Sequence, residues 1–167
     1  MAGTKRDFQP LLAPGRHETC LVQVHRLCVL PFEESTVREG LFHNFCRFVQ
    51  TFEELKINCS MLVNGSFVTE KLNPSDIDVA VIIDPDVAEK LSSEQEALIN
   101  SINDNCFIDK VDGFVETEFP IGHPSFRVGG NEMLWSEQYG REHLGAWLKG
   151  IAVLRIGETD VGLRIRR

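Results

Sequence analysis

Asp76 and Asp78 are separated by a single residue and lead into the run Val79-Ala80-Val81-Ile82-Ile83. Side chains at i and i+2 of a strand share a face, so the two carboxylates project together from one edge of a strand otherwise built for burial. Carboxylates that close repel each other unless a proton or a cation lies between them. A divalent cation with oxygen ligands is the usual solution. Nine residues earlier, Leu62-Val63-Asn64-Gly65-Ser66 closes another apolar run on a glycine–serine turn.

The elements that must position these residues can be read from periodicity. Thr36 and Glu39 match a capping box. Val37, Leu41, Phe45, Phe48, Phe52 and Leu55 recur at helical spacing, which predicts an amphipathic helix over about 36–55 with an aromatic core stripe. Lys56–Val63 reads as a short strand ending in the Gly-Ser turn, and Ile77–Ile83 as a second. Asp84-Pro85 opens helical segments that run to about Ile102 and restart near Ser92-Ser93. From Phe107 to Glu118 the chain alternates, with Ile108, Lys110, Asp112, Phe114 and Glu116 on one face and Asp109, Val111, Gly113, Val115 and Thr117 on the other. Leu134 to Tyr139 reads as a helix. Ile151–Ile156 reads as a closing strand, with a hairpin at Gly157-Glu158 into Val161–Ile165. His17–Leu30 is ambiguous and leans towards helix, ended by Pro31. Residues 1–15, with Pro10, Pro14 and Gly15, read as an N-terminal arm, and residues 16–167 as a single α/β domain.

Composition bounds the partners. A net charge of −8 argues against a broad DNA-binding or other non-specific nucleic-acid surface, but leaves room for a small basic pocket. The apolar runs are too short to span a bilayer. Lys5 and Arg6 are not followed by a long apolar region, so no secretory signal is expected. The 5 cysteines show no CxxC spacing, which predicts reduced, mostly buried thiols in a cytoplasmic protein.

The order helix, strand, Gly-Ser turn, strand with Asp-x-Asp, helix, strand with a further acid resembles the polymerase-β-type nucleotidyltransferase superfamily. The match is to its minimal bacterial members, with hydrophobic-Gly-Ser, a spacer of about nine residues and Asp-x-Asp. Val111-Asp112-Gly113-Phe114, Phe119-Pro120-x-Gly122-His123-Pro124, Trp135, Tyr139-Gly140 and Lys149-Gly150-Ile151, with Pro14-Gly15-x-His17, resemble a group of short bacterial nucleotidyltransferase-like proteins. The resemblance covers most of the chain.

That resemblance implies a small mixed, largely antiparallel sheet backed by helices on one side, with the groove on the open side. It implies Mg²⁺, or Mn²⁺, held by Asp76, Asp78 and Asp112, with Asp109 and Glu116 as substitutes for Asp112. Two such ions can neutralise both the phosphate under attack and the leaving pyrophosphate. Gly65 would let the backbone approach the phosphates, and Ser66 would offer a hydroxyl and an N–H. Many minimal members carry Ala-Arg-Gly just after this turn; here Phe67 is followed by Val68-Thr69-Glu70-Lys71. Lys71 is the candidate in place of the missing arginine, and Lys149 a second cation reaching in from the sheet edge. His123 reads as a loop histidine with a structural hydrogen bond.

The implied partners are a nucleoside triphosphate and a hydroxyl acceptor on RNA (tRNA included), a protein or a small molecule, within a toxin–antitoxin or phage-defence system. With only a short stretch after the sheet, the acceptor site is expected to be open or completed by a partner. The alternative is a catalytically silent antitoxin-like or regulatory module that binds a protein partner, which a large exposed apolar patch beside the groove would favour. A nuclease or phosphatase using the same carboxylates leaves the Gly-Ser turn unexplained.

Overall fold

Strands β1 (Gly15–Glu18), β2 (Cys59–Asn64), β3 (Ile77–Ile83), β4 (Val111–Thr117) and β5 (Gly150–Ile156) form one sheet in the order β1-β5-β2-β3-β4. The computed structural model describes residues 7–119, 122–126 and 148–157. The helix from Leu134, Trp135, Tyr139 and the hairpin strand Val161–Ile165 lie outside them. The sheet is mixed, as expected. Its two central ladders, β5–β2 and β2–β3, are antiparallel, and the outer pairs β1–β5 and β3–β4 are parallel. The parallel step from β3 to β4 needs a crossover, supplied by α3 (Pro85–Ala88) and α4 (Ser93–Asn103).

Alternation divides the sheet into two unlike faces. Met61 and Val63, Val79 and Val81, Val115, Leu154 and their neighbours point to one side. There they meet Val24 and Cys28 of α1 (Leu21–Cys28), Leu41, Phe45, Phe48 and Phe52 of α2 (Arg38–Glu54), and Leu98 and Ile102 of α4. Each large apolar side chain buried there contributes roughly 1.5–3 kcal/mol. The opposite face carries a smaller cluster, Leu62, Ala80, Ile82, Ile151 and Val153. Among the described residues no helix contributes to it, yet each of its members is at most 2% exposed, so the expected open side is corrected: this face is covered beside the acids. None of the helices among the described residues is long and apolar enough to cross a membrane.

Four expectations are corrected locally. Residues 15–18 form the edge strand β1, and helix begins only at Leu21. The start of α2 is capped by Ser35, whose Oγ accepts from the N–H groups of Val37 and Arg38, not by a Thr36–Glu39 box. The Thr36 N–H instead donates to Asn73 Oδ1. Lys56 has φ +55 and turns the chain before β2 begins at Cys59. Residues 107–110 are a turn, so β4 is shorter at both ends than 107–118.

All the cysteines are free, with Cys20 and Cys106 exposed and Cys28 and Cys59 buried. Burial pushes the Cys28 thiol up to about 12, against a smaller pull downward from Arg38. Burial also pushes Cys59 up. The folded chain therefore retains protons that the unfolded chain has lost once pH exceeds the ordinary thiol value. This contribution to stability is complete below that value and is lost as pH rises through the folded one. The unfolding free energy from denaturant titrations is expected to fall between pH 8.5 and pH 11, by up to about 1.4 kcal/mol per pH unit for each thiol. The slope should shrink in Cys28→Ala. A slope unchanged in that variant would refute the assignment.

Candidate functional site

β2 ends at Asn64, and Gly65–Val68 make a single 3-10 turn. Gly65 has φ +76. A Cβ built on it would fall 1.6 Å from Asp78 Oδ2 and 2.6 Å from Asp78 Cγ. The Asp78 carboxylate thus occupies space that only a glycine leaves, and the Gly-Ser turn and the Asp-x-Asp strand meet there. In the ladders Asp78 stands opposite Asn64 on β2 and opposite Asp112 on β4. Asn64, Asp78 and Asp112 form one row across three strands, on the face away from α1, α2 and α4. Adjacent strands lie about 4.8 Å apart, so the two acids are near neighbours. Asn64 is buried, Asp78 half-buried and Asp112 exposed.

Asp76 lies one residue before β3 and is half-buried. The Ile77 N–H donates to the Lys110 carbonyl, which ties the start of β3 to the approach of β4. The register separates the three possible third acids. Asp109 lies in the turn before β4, its carbonyl accepting from Asn44 of α2. Glu116 stands opposite Ile82, four residues along from Asp112 and about 13 Å away at 3.3 Å per residue. Asp112 is the one that adjoins Asp78.

The candidate cations fall differently. Val63 pairs with Ala152, so the antiparallel register carries Lys149 to the end of the sheet where Gly65 and Ser66 stand. By alternation Lys149 continues the row Ile151, Val153, Arg155 on the face away from α1, α2 and α4. It is buried at 7% exposure, unlike a solvated strand end. Lys71 sits beyond the 3-10 turn, its N–H donating to Thr69 Oγ1. His123 accepts a hydrogen bond from the Ser125 N–H at its Nδ1 and stacks on Phe119 at 4.4 Å, as a loop histidine would.

The sequence reading missed Arg38. This first residue of α2 is 1% exposed. Its Nε donates to the Leu72 carbonyl, Nη1 to those of Cys28 and Phe67, and Nη2 to those of Thr69 and Lys71. Its guanidinium carbon lies 3.7 Å from the centre of the Phe32 ring. Burial lowers its pKa to about 10, partly opposed by Cys28, so it stays charged at neutral pH. One signal was available: Arg38 lies three residues before Leu41 and continues the buried series Leu41, Phe45, Phe48, Phe52 backwards. The same loop is held from outside by the chain's start. The Leu11 N–H donates to the Val68 carbonyl, the Glu70 N–H to the Gln9 carbonyl, and Pro10 bridges Thr69.

Among the described residues no group of three or more His, Cys, Asp or Glu side chains is gathered closely enough to hold a metal ion. The donor chemistry nevertheless fits a hard divalent ion, because Asp78 and Asp112 offer carboxylate oxygens only and the gap above Gly65 already accommodates one of them.

A family description matches residues 5–155, most of the chain. The chain belongs to the DUF6932 family. That family is described as one of unknown function. No curated protein and no solved structure matches this DUF6932 chain.

Proposed function

We propose that this DUF6932 protein is a metal-dependent nucleotidyltransferase, moving a nucleoside monophosphate from a triphosphate to a hydroxyl on RNA, a protein or a small molecule. The observation that carries this reading is the placement of the Asp78 carboxylate over the Cβ-free face of Gly65 and in register with Asp112. A phosphate-approach turn and a pair of acids then share one end of one sheet face. Magnesium, when bound, would neutralise charge on the transferred and leaving phosphates. Asp78 and Asp112 would hold it, with Asp76, two residues before Asp78, as a further candidate ligand. Gly65, whose Cβ-free side holds the Asp78 carboxylate, would keep that acid against the turn, and Ser66 would offer its hydroxyl to the triphosphate. Lys149, at the same end of the sheet, would meet the leaving pyrophosphate. Asp112, the most exposed of the three, is the acid best placed to orient an acceptor hydroxyl or take its proton. The antitoxin-like reading calls for an apolar patch of several hundred Å² beside the acids. On β4 beside Asp112, the exposed large apolar side chain is Phe114, at 38%.

Calorimetric titration with non-hydrolysable analogues of the four nucleoside triphosphates, with and without Mg²⁺, tests the proposal. Mg²⁺-dependent binding of at least one is expected, weakened at least about tenfold (1.4 kcal/mol) in Asp78→Asn. If the folded protein binds none of the four, the proposal fails.

A further inference from the structure

The chain from Gly65 to Asp76 must keep the Gly-Ser turn open beneath Asp78, yet its only helical element is the four-residue turn Gly65–Val68. A turn that short has few bonds of its own, here from the Thr69 N–H and hydroxyl to the Ser66 carbonyl. What fills its interior is the Arg38 guanidinium. An arginine has five N–H donors, and here each of them donates to a backbone carbonyl, four of these carbonyls lying in the segment 67–72. With every donor engaged, Arg38 has none left for a phosphate, so the charge cannot act on a nucleotide directly. The planar fork instead fixes the directions in which four nearly consecutive peptide groups face, and so where the segment leaves Ser66.

We infer that Arg38 is a positioning residue, an internal template that sets the Gly65-Ser66 turn against Asp78. It acts through the loop and never touches the ligand. The inference that this tunes triphosphate binding rests on the nucleotidyltransferase reading; the templating of the loop does not. Lysine at this position would keep the charge. With three donors in place of five and no planar fork, it would not hold the carbonyl array.

The test compares the full-length native protein with Arg38→Lys. Amide hydrogen exchange in 65–72 is expected to speed up by at least about tenfold, as hydrogen bonds to a charged group are lost. Exchange in the centres of β2 and β3 should be unchanged. With Mg²⁺ present, affinity for a non-hydrolysable triphosphate should fall about tenfold, while affinity for the matching monophosphate stays constant. Unchanged exchange in 65–72 would overturn the templating role. Parallel weakening of both nucleotides would overturn the link to the phosphate turn. If the native protein binds no nucleotide, the nucleotidyltransferase reading falls and the exchange result still decides whether Arg38 templates the loop. Should Arg38→Lys not fold, the Nη protons of Arg38 are followed by NMR in the native protein. Slow exchange of these protons with water supports the templating role and fast exchange overturns it; a shift on binding the triphosphate, absent with the monophosphate, supports the link to the phosphate turn, and equal or absent shifts with bound triphosphate overturn that link.

Discussion

Gly65→Ala is expected to abolish Mg²⁺-dependent triphosphate binding and to lower stability by about 2–3 kcal/mol. Two costs coincide at this position. An alanine at φ +76 pays the left-handed backbone cost of about 1–2 kcal/mol. Its methyl also claims the space of the Asp78 carboxylate, 1.6 Å from Oδ2, so that side chain must leave its present rotamer at a further cost of about 1 kcal/mol. In a chain of this size the sum should lower the melting temperature by roughly 5–10 °C. The functional loss follows from the second cost, because the displaced carboxylate is the one in register with Asp112. Gly40→Ala is the matched control. Gly40 lies in α2 with nothing within 4 Å of a built Cβ. There the extra methyl should stabilise the helix by about 0.5–1 kcal/mol and leave binding unchanged. Thermal melts and the calorimetry on both variants check the contrast. Equal behaviour of the two would mean that Gly65 plays no special part.

Arg38→Met should be strongly destabilising. Methionine matches much of the aliphatic length but leaves the carbonyls of Cys28, Phe67, Thr69, Lys71 and Leu72 without the donors they now share. Each buried acceptor left without a partner costs about 1–3 kcal/mol. Even if water reaches some of them, a loss of at least about 3 kcal/mol is expected, a large share of the 5–15 kcal/mol typical of a whole domain. The stacking of the guanidinium on Phe32 is lost as well. Urea denaturation of the variant is the measurement. A loss under about 1 kcal/mol would show that the carbonyls find other partners.

What the sequence disclosed and what it hid follow from the range of the interactions involved. The period-two alternation of residues 77–83 and 111–117 is local, so the two strands were legible, whereas the choice of Asp112 over Asp109 and Glu116 came only from the resemblance. The register of the strands was not legible, since it depends on how α4 returns the chain. β1 escaped notice because Gly-Arg-His-Glu has no apolar alternation and its ladder partner begins at Gly150. The α2 cap was misplaced because Asn73, far along the chain, takes the Thr36 N–H and leaves Ser35 to cap. Arg38 was hidden by its own charge. A cation at a helix start reads as a solvated residue, and four of the five carbonyls that make its burial tolerable lie 29–34 residues further along the chain.

The pairing of β1 with β5 also has a kinetic consequence. Gly15 opposite Gly150 joins segments far apart in the chain, so this ladder must wait for a long loop to close, whereas β2 and β3 can pair early. The strand nearest the N-terminus is thus among the last to be held. Its detachment, together with residues 9–11, would uncover the outer edge of β5 and unstrap the segment 68–70 in the same local opening. A bulky fusion placed before residue 7 would act on both at once.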